Sequence, residues 1–419
     1  MKVLVVNAGS SSLKYQLLNT ETKEVLGKGL CERIGMTGSL INHKKGDGEK
    51  QIKKEIPMPD HAVATEIVVS MLTDKEYGCI SDMSEIEAVG HRVVHGGPYF
   101  FESSLVTDEV LETIKKCIEF APLHNPAHIM GIEGCKKVMP NVPQVVVFDT
   151  AFHQTMKPDA YTYAIPMSMT EGDKIRRYGA HGTSHKYVSI EMNKILNKPD
   201  SKIVTCHIGN GSSISAVRDG KVVDTSMGFT PLEGVEMGTR CGCIDPAIVP
   251  FIMKKYNIDV DSISDFMNKK CGFLGVSEYS SDGRDLENAI NGKFNPELPT
   301  CPTTDEGKAK VAKNSALAID ILVYQIKKYI GSYAASMNGL DAIVFTAGIG
   351  ENNANIRGKV CKDMEFFGIK IDEEVNKVTS GQSGVVELST KDSKVKVYVL
   401  PTNEELMIAI DTEKIVSSK

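Results

Sequence analysis

The sequence predicts an α/β protein made of two similar halves, and two observations support this. Short β-branched runs alternate along the chain with helical segments, which is the pattern of strands packed among helices. In addition, "KVLVVNAGSSSLKYQLL", beginning at Lys2, is echoed about two hundred residues later by "KIVTCHIGNGSSISAV", beginning at Lys202. Each stretch consists of a strand, a loop of glycine and serine, and an alternating strand. We therefore predict a duplicated domain pair with a cleft between the halves.

Length, charge and cysteine usage exclude several classes of protein. The chain has 419 residues and a net charge of −6, which argues against nucleic acid or an anionic membrane as the main partner. It starts directly with a strand-like run, and no apolar run reaches the ~18 residues of a membrane span. Of ten cysteines only Cys241 and Cys243 are close together, which disfavours structural zinc. We expect reduced thiols and a cytoplasmic protein.

The individual elements follow from local patterns. Helices are predicted over 108–121, over 184–196 with Ser184 as cap, and over 314–338 with Asn314 or Ser315 as cap. Asn125 followed by Pro126 predicts another helix start. The polar segments 37–59 and 291–308 are expected to be a hairpin or loops, not domain boundaries. The predicted strands are "KVLVVN", "EAVGHRVVHGG", "QVVVFDTAF", "KIVTCHIGNG", "DAIVFTAGIG" and "KVYVLP".

The first glycine–serine loop is predicted to bind an anion. It lacks the second glycine of a Walker A loop, and the alternation after it indicates a strand where that loop would have a helix. The result is a hairpin whose tip offers backbone N–H groups and the hydroxyls of Ser10, Ser11 and Ser12. Lys14 adds positive charge just past the tip. A hairpin tip without a ligand remains the alternative.

Two further glycine loops follow predicted strands. "HIGNGSS", residues 207–213, repeats the first device, and its Gly209 and Gly211 permit close backbone approach. "FTAGIGEN", residues 345–352, is the third such loop. One such loop is a weak signal, but three loops that each follow a strand predict a nucleotide as the ligand.

Several charged side chains are candidates for chemistry. Asp149 ends an apolar strand, where it can orient Mg²⁺ or handle a proton, or simply cap the next turn. Arg92 and Val94 are predicted to share one strand face, which suits a small carboxylate with a short alkyl tail. A strand-edge role in solubility is the alternative for Arg92. His181 and Arg240 lie in predicted loops and could neutralise a phosphoryl group in transfer.

Nine motifs, in order from residue 3 to about residue 410, together resemble the acetate kinase family. The resemblance implies the acetate and sugar kinase/actin-like ATPase superfamily, with two duplicated ribonuclease-H-like domains and a nucleotide cleft between them. The motifs are "VNAGSSSLKY", "GHRVVHGG", "LHNP", "FDTAFH", "HGTSH", "HIGNGSS", "EMGTRCGCIDP", "FTAGIGEN" and "PTNEE".

The resemblance also implies a domain division and a reaction. Residues 1–150 plus about 405–419 would form the N-terminal domain with the first phosphate hairpin, and residues 151–404 the C-terminal nucleotide-binding domain. The implied protein is a homodimer. The implied reaction is the reversible, Mg²⁺-dependent, direct in-line transfer of a phosphoryl group from ATP to acetate, which gives ADP and acetyl phosphate.

Roles for individual residues follow from the resemblance alone. Asn7 and Glu404 would hold Mg²⁺, and Arg92 would bind the substrate carboxylate. Asp149 would act as acid/base or would orient the metal; the second role is preferred, because a carboxylate nucleophile has no proton to lose. His181 and Arg240 would stabilise the phosphoryl group, and Val94, Leu123 and Pro231 would surround the methyl group. The nucleotide would contact Lys14, His207, Ile208, Gly209, Asn210, Gly211, Asp282, Gly283, Arg284, Gly348, Ile349, Gly350, Glu351 and Asn352.

The chain departs from the family pattern at several positions. Ala180 stands where the family usually has phenylalanine, which predicts a larger acyl pocket and better competition by propionate. Gly283 replaces a bulkier residue near the predicted purine site, Cys243 replaces a more usual Asp or Asn, and the 291–308 excursion is longer than the family's typical loop. Two alternatives therefore stay open. One is a propionate or other short-chain acid kinase, and the other is a non-catalytic actin-like ATPase.

Overall fold

A computed structural model describes residues 1–46 and 50–418 of the chain. The chain divides into two compact units, each formed by segments that are distant in sequence. Unit 1 comprises Met1–Gln154, Gly182–Tyr187 and Asn403–Lys419, and unit 2 comprises Thr155–His181 and Val188–Thr402.

Unit 1 contains a mixed sheet of eight strands in the order β5-β4-β3-β2-β1-β6-β8-β7. From β5 to β1 each strand is antiparallel to the next; β1, β6 and β8 run parallel to one another, and the edge strand β7 is antiparallel to β8. The strands are β1 (Lys2–Gly9), β2 (Ser12–Asn19), β3 (Glu24–Glu32), β4 (Leu40–Lys45), β5 (Lys50–Glu55), β6 (Ala88–Val93), β7 (Ser104–Leu105) and β8 (Gln144–Phe148).

Helices cover both faces of the unit 1 sheet, because successive strand residues point to opposite faces. Leu4 and Val6 of β1 belong to a core that includes Val68 of one helix and Cys135 of another, whereas Val3 lies in a separate core with the last helix. The helices of this unit are α1 (His61–Leu72), α2 (Asp108–Lys116), α3 (Asn125–Val138), the first turns of α6 (Gly182–Leu196), and α15 (Glu404–Ser417).

Unit 2 contains a six-stranded sheet in the order β11-β10-β9-β12-β14-β13. Its largest core joins the strands to the long helix α11 and the shorter helix α13. The strands are β9 (Lys202–Ile208), β10 (Ser212–Arg218), β11 (Lys221–Thr225), β12 (Ala342–Thr346), β13 (Val386–Glu387) and β14 (Lys396–Val399). The helices, besides the remainder of α6, are α4 (Pro158–Tyr161), α5 (Met167–Gly172), α7 (Ile248–Tyr256), α8 (Val260–Lys269), α9 (Gly272–Ser277), α10 (Gly283–Ile290), α11 (Asp305–Ser336), α12 (Ala347–Asn352), α13 (Ala354–Cys361) and α14 (Glu373–Val378).

The two sheets share one strand order. The run β3-β2-β1-β6-β8 in unit 1 matches β11-β10-β9-β12-β14 in unit 2. In both runs the first three strands are antiparallel and the next two are parallel to the central strand. The α/β fold with two duplicated halves, predicted from the echo of the two glycine–serine loops, is confirmed.

Two predicted helix starts are wrong. Helix α6 begins at Gly182 after His181, so Ser184 lies inside the helix and does not cap it. Helix α11 begins at Asp305, where the side chain of Thr304 accepts a hydrogen bond from the Gly307 amide. The predicted start near residue 314 is therefore about two and a half helical turns too late, and the excursion at 291–308 ends in helix.

Other boundaries differ more locally. Asn125 is the first residue of α3, and its buried side-chain amide donates to the His95 carbonyl at 3.0 Å instead of capping the helix. The helix predicted over 108–121 ends at Lys116 and continues as a 3₁₀ turn over Cys117–Phe120. The predicted hairpin within 37–59 is formed by β4 and β5, and its tip at 47–49 lies outside the described residues.

Helices of the described ranges 1–46 and 50–418 do not combine the length and apolar character needed to cross a membrane.

Candidate functional site

The carboxyl ends of three strands bring several predicted residues together in unit 1. Asn7 of β1 is the register partner of Lys14 in β2, and Val6 pairs with His91, so that Asn7 lies level with Arg92 of β6. Arg92 Nη1 lies 3.5 Å from Asn7 Oδ1. The hairpin pairing predicted from the alternation after the serines is the reason that Lys14 reaches this edge.

Arg92 forms a buried ion pair with Asp149. Arg92 Nη2 lies 2.5 Å from Asp149 Oδ2, and the Asp149 side chain is 2% exposed. The other carboxylate oxygen of Asp149 accepts a hydrogen bond of 3.2 Å from Thr183 Oγ1 in the first turn of α6. Burial alone would lower the pKa of Arg92, but the nearby carboxylates of Asp149 and Glu404 outweigh it and raise the pKa. The guanidinium is therefore fixed in position and charged.

Two glutamates at the start of α15 complete this cluster. Burial, together with repulsion from Asp149, raises the pKa of Glu404 to about 7, while Arg92 and Lys14 partly oppose this increase. Glu405 forms an ion pair of 2.5 Å with Lys14, which is half exposed. Glu404 thus lies where a cation would relieve the repulsion between carboxylates.

The predicted methyl pocket is only partly built within unit 1. Val94 is buried, but β6 ends at Val93, so strand alternation does not place Val94 on the same face as Arg92. The side chain of Leu123 is 74% exposed in the turn before α3. Pro231, the third predicted member, belongs to unit 2.

Histidines and an arginine meet at the second glycine loop in unit 2. The rings of His181 and His207 stack with centroids 4.1 Å apart, and His181 Nδ1 lies 2.9 Å from Ser213 Oγ. A Cβ placed on Gly211 would lie 3.4 Å from Arg240 Nη1 and 3.5 Å from His181 Nε2. Gly211 therefore lies between the two predicted catalytic side chains, and its lack of a side chain leaves room for a ligand group there.

His181 itself adopts a strained backbone. Its φ of 56° lies in the left-handed region, which non-glycine residues rarely adopt. The next residue, Gly182, must be glycine, because a Cβ there would lie 2.2 Å from the Asp149 carbonyl oxygen. Such strain is often found where a side chain must be aimed in one direction.

Arg240 has a different environment from Arg92. Its Nη1 donates to the Pro231 carbonyl at 3.2 Å and contacts the Met237 sulfur at 3.7 Å. Within the described part of the chain, no carboxylate forms an ion pair with Arg240. Burial lowers its pKa. An anion bound beside this guanidinium would meet a positive charge that the protein leaves uncompensated.

A cavity of about 590 Å³ in unit 2 gathers much of the predicted nucleotide site. It lies beside the turn after β9, the start of α10 and the short helix α12. Gly283 leaves its wall open, since an added Cβ would reach within 3.5 Å of Ile349. The predicted residues that line this cavity are Gly209, Asn210, Asp282, Gly283, Arg284, Gly348, Ile349 and Asn352, joined by Ser281, Glu287 and Asn353, which the motifs did not single out.

Some predicted nucleotide contacts lie elsewhere in unit 2. Ile208 and Gly350 are buried in the protein interior. Glu351 accepts hydrogen bonds from the amides of Ala347 and Thr402, so its carboxylate joins the start of α12 to the segment after β14. "FTAGIGEN", predicted as a loop, is the end of β12 followed by α12, and Ala347 at the junction has a left-handed φ of 66°.

The space beside Ala180 is occupied by methionine. Ala180, Met227 and Met237 form a small buried cluster, and the Met237 sulfur also contacts Arg240. Methionine side chains are flexible and fill irregular gaps. The space that the smaller Ala180 leaves is thus shared with movable side chains next to a predicted catalytic residue.

Sequence reasoning missed two features of unit 2. Glu236 is 2% exposed, and neither of its carboxyl oxygens has a hydrogen-bond partner within the described residues. Arg177 bonds to Glu233 and to a run of backbone carbonyls. Arg177 stands four residues before His181, but nothing in its spacing distinguishes it from the neighbouring Arg176.

The group around Arg92 in unit 1 and the group around Arg240 in unit 2 lie in a fold that belongs to a known class. The mixed sheets with shared strand order and flanking helices define a two-domain α/β fold of the actin-like ATPase class. The model of the acetokinase family matches residues 2–410. The chain therefore belongs to the acetokinase family.

Relatives in sequence and structure agree with this assignment. The acetate kinase of Desulfitobacterium hafniense (strain DSM 10664 / DCB-2) is 53% identical over 418 residues, which cover 99% of each chain. The crystal structure of Porphyromonas gingivalis acetate kinase superposes with a TM-score of 0.91 at 45% identity, again covering 99% of each chain. A propionate kinase from Francisella tularensis subsp. tularensis SCHU S4 superposes with a TM-score of 0.86 at 41% identity, with 99% of each chain covered.

Proposed function

We propose that this chain transfers the γ-phosphoryl group of ATP to acetate and gives acetyl phosphate and ADP, reversibly. The observation that carries the proposal is the pairing of Gly211 with His181 and Arg240 beside a nucleotide-sized cavity. Phosphoryl transfer demands positioning and neutralisation of charge more than covalent chemistry. A partly buried arginine without a carboxylate partner supplies that neutralisation.

In this proposal Arg92 holds the acetate carboxylate. A carboxylic acid of this kind is ionised at neutral pH, so its oxygen attacks the γ-phosphorus without prior loss of a proton. The ion pair between Asp149 and Arg92 supports an orienting role for Asp149 and not a role as general base. Bonding to phosphorus proceeds in line as the bond to the bridging oxygen of ADP breaks.

His181 and Arg240 would contact the phosphoryl oxygens during transfer, and the cavity residues would hold the nucleotide. The stacking of His181 on His207 and its contact with Ser213 fix the ring, so that Nε2 faces Gly211. Lys14 is already paired with Glu405, so its ammonium group would contact the nucleotide phosphate and the Glu405 carboxylate together.

The donor set in unit 1 fits Mg²⁺. Asn7 and Glu404 offer the oxygen ligands that Mg²⁺ prefers, and a cation beside Glu404 would offset the burial and the repulsion from Asp149 that raise the pKa of this carboxyl. Among the described residues no group of three His, Cys, Asp or Glu side chains could hold a metal ion. This agrees with a kinase site in which one or two protein ligands are joined by substrate phosphates. When bound, Mg²⁺ would neutralise phosphate charge.

Asn7→Ala should raise the Mg²⁺ concentration needed for half-maximal activity about tenfold, because a side-chain oxygen is lost while Arg92 and Asp149 remain paired. The measurement is a Mg²⁺ titration of initial rate at saturating ATP and acetate. A titration curve that matches the wild type would remove Asn7 from the metal site.

The homodimer and the cytoplasmic location form part of the proposal. Helix α7 supports the dimer, because none of its residues is buried although it carries Ile248, Phe251 and Tyr256. An exposed apolar face of this kind is typical of an interface. The use of ATP as phosphoryl donor supports a cytoplasmic reaction. Sedimentation at several protein concentrations tests the dimer.

A short-chain acid kinase of broader specificity is the second candidate. Ala180 and its flexible methionine neighbours favour it, and one relative of known structure is a propionate kinase. The deciding experiment incubates the protein with ATP, Mg²⁺, hydroxylamine and a series of carboxylates from formate to butyrate. We expect acetyl hydroxamate to form fastest. ATP hydrolysis without any hydroxamate would instead identify an actin-like ATPase of the same fold that phosphorylates no carboxylate.

A further inference from the structure

Three side chains outside the predicted site form a hydrogen-bonded cluster in unit 2. Arg177 Nη2 lies 2.5 Å from Glu233 Oε1, and the hydroxyl of Tyr163 donates to the other oxygen of Glu233. Both members of the ion pair are largely buried, with side-chain exposures of 16% and 29%. We call these residues the Tyr163–Arg177–Glu233 cluster.

The cluster holds the backbone of the segment 225–234. Arg177 Nη1 donates to the carbonyl oxygens of residues 225, 226 and 227 at 3.0, 3.1 and 3.1 Å. The hydroxyl oxygen of Tyr163 accepts a hydrogen bond of 2.9 Å from the Phe229 amide. A flat guanidinium with five donors can make these bonds and the bond to Glu233 together, which an ammonium group cannot do.

Gly228 lies against the cluster and connects it to a second segment. An added Cβ would lie 1.7 Å from Glu233 Oε2 and 2.2 Å from the Tyr163 hydroxyl, so only glycine fits. The Gly228 carbonyl accepts hydrogen bonds of 3.0 and 3.1 Å from the amides of Tyr178 and Gly179. Those two residues lead directly to Ala180 and His181.

The segment 225–234 also carries the support of Arg240. Pro231 offers the carbonyl that accepts from Arg240 Nη1, and the Gly234 carbonyl accepts a hydrogen bond of 2.8 Å from the Cys243 amide. A displacement of this segment would therefore shift the Arg240 guanidinium, which bonds to Pro231. It would also shift the backbone that follows Arg240, because Cys243 bonds to Gly234.

We propose that the Tyr163–Arg177–Glu233 cluster is a positioning device that fixes Arg240, Pro231 and His181 relative to one another for phosphoryl transfer. The inference rests on the proposed function. The three residues are distinct from those assigned above to acetate, the nucleotide and the metal, and they act through the backbone of 225–234. Their removal should lower kcat while the nucleotide cavity, which is built from other segments of unit 2, keeps its affinity.

Tyr163→Phe is the central test, because it removes two hydrogen bonds at nearly constant volume. We expect kcat to fall about 10- to 100-fold, KM for acetate to rise, and KM for ATP to stay within twofold. Arg177→Lys keeps the positive charge, yet its kcat should fall at least as much as that of Tyr163→Phe, because lysine lacks the planar guanidinium. Arg218→Gln removes an exposed arginine of the same unit and should match the wild type.

A double-mutant cycle separates positioning from general loosening. If the cluster acts through Arg240, Tyr163→Phe should cost much less in an Arg240→Lys background than in the wild type. Fluorescence titration with ADP checks that each variant keeps its nucleotide cavity.

The inference would be overturned if Tyr163→Phe kept the wild-type kcat. It would also be overturned if the fold-losses of Tyr163→Phe and Arg240→Lys simply multiplied in the double variant. Either result would leave the proposed function standing. Absence of acetyl hydroxamate with the wild-type protein would overturn the proposed function and this inference with it.

Discussion

Arg92 in unit 1 and Arg240 in unit 2 are both partly buried guanidinium groups, yet the two units treat their charge in opposite ways. Arg92 is paired with Asp149 and lies in the field of Glu404. Arg240 donates to a carbonyl and touches a sulfur, and no described carboxylate pairs with it. Glu236 stands four residues before Arg240, and its carboxyl has no hydrogen-bond partner among the described residues either.

This difference indicates a division of labour. A paired guanidinium has its position fixed in advance and can share its donors with a monoanion such as a carboxylate. An unpaired, partly buried guanidinium gains most from a group whose negative charge it alone neutralises, which suits the phosphoryl group during transfer. The two arginines can therefore be perturbed separately, and the sizes of the effects test the comparison.

The largest effect is expected from Arg240→Ala. Loss of the unpaired guanidinium should lower kcat at least about 1,000-fold, the scale on which an arginine at transferring phosphoryl groups acts. Because no ion pair is broken, thermal stability should change little. Initial rates by the hydroxamate assay and a melting curve provide the measurement. A loss below tenfold would end the assignment of Arg240 to the transferring group.

Asp149→Ala should act on stability as well as activity, in contrast to Arg240→Ala. The substitution leaves the Arg92 charge buried without its partner, which should cost about 3 kcal/mol in the free energy of unfolding. Asp219→Asn is the matched control, since Asp219 pairs with Arg218 at the surface and such pairs contribute about 0–1 kcal/mol. Denaturant unfolding of both variants decides. Equal stability losses would contradict the buried, position-fixing role of the Asp149 pair.

The α/β class and the likeness of the two halves were predictable from the sequence, because glycine–serine loops after β-branched strands recur in both halves. Helix starts were not. The signal for α11 was present in Thr304, Asp305 and Glu306, but the surrounding Pro- and Thr-rich stretch favoured a loop. Thr and Asp side chains favour turns as well as helix N-caps, so these residue types alone do not mark where a helix begins.

The charge states of the site could not be predicted from sequence. Whether a carboxylate is paired, as Asp149 is, or unpaired, as Glu236 is, depends on side chains that tertiary folding brings close. The role of Arg177 was hidden for a related reason. Most of its partners are backbone carbonyls, which carry no sequence signature.

Glu236 gives a pH-dependent effect of intermediate size. Burial raises its pKa to about 8, so between about pH 4.5 and 8 the folded state keeps a proton that the unfolded state has lost. Stability is therefore highest below this range and falls as pH rises through it. Each pKa unit by which the folded state exceeds the unfolded state corresponds to about 1.4 kcal/mol of stability. Water that enters around the ionised carboxylate reduces the total effect, so the expected loss is about 2 kcal/mol.

Glu236→Gln should abolish that loss. We expect the variant to match the wild type near pH 5 and to be about 2 kcal/mol more stable at pH 9, measured by denaturant unfolding. Glu297→Gln, at an exposed position, serves as control. A difference between Glu236→Gln and wild type that does not grow with pH would show that the Glu236 carboxyl is solvated or paired in solution.

The smallest effect concerns acyl specificity at Ala180. One methylene in an apolar pocket changes kcat/KM by about 10- to 200-fold, which corresponds to about 1–3 kcal/mol. If the methionines beside Ala180 yield to a longer acyl chain, the wild type should use propionate within about tenfold of acetate. Ala180→Phe should then lower the propionate-to-acetate ratio of kcat/KM about tenfold.

Because Phe must displace Met227 or Met237, and Met237 contacts Arg240, the acetate rate of Ala180→Phe also reports on the coupling between the acyl pocket and Arg240. Ala180→Val, a smaller addition, separates the two contributions. It should lower the propionate ratio with little change in the acetate rate. An unchanged ratio in both variants would place the selection of the acyl group away from Ala180 and leave Arg92, in unit 1, as the residue whose surroundings set it.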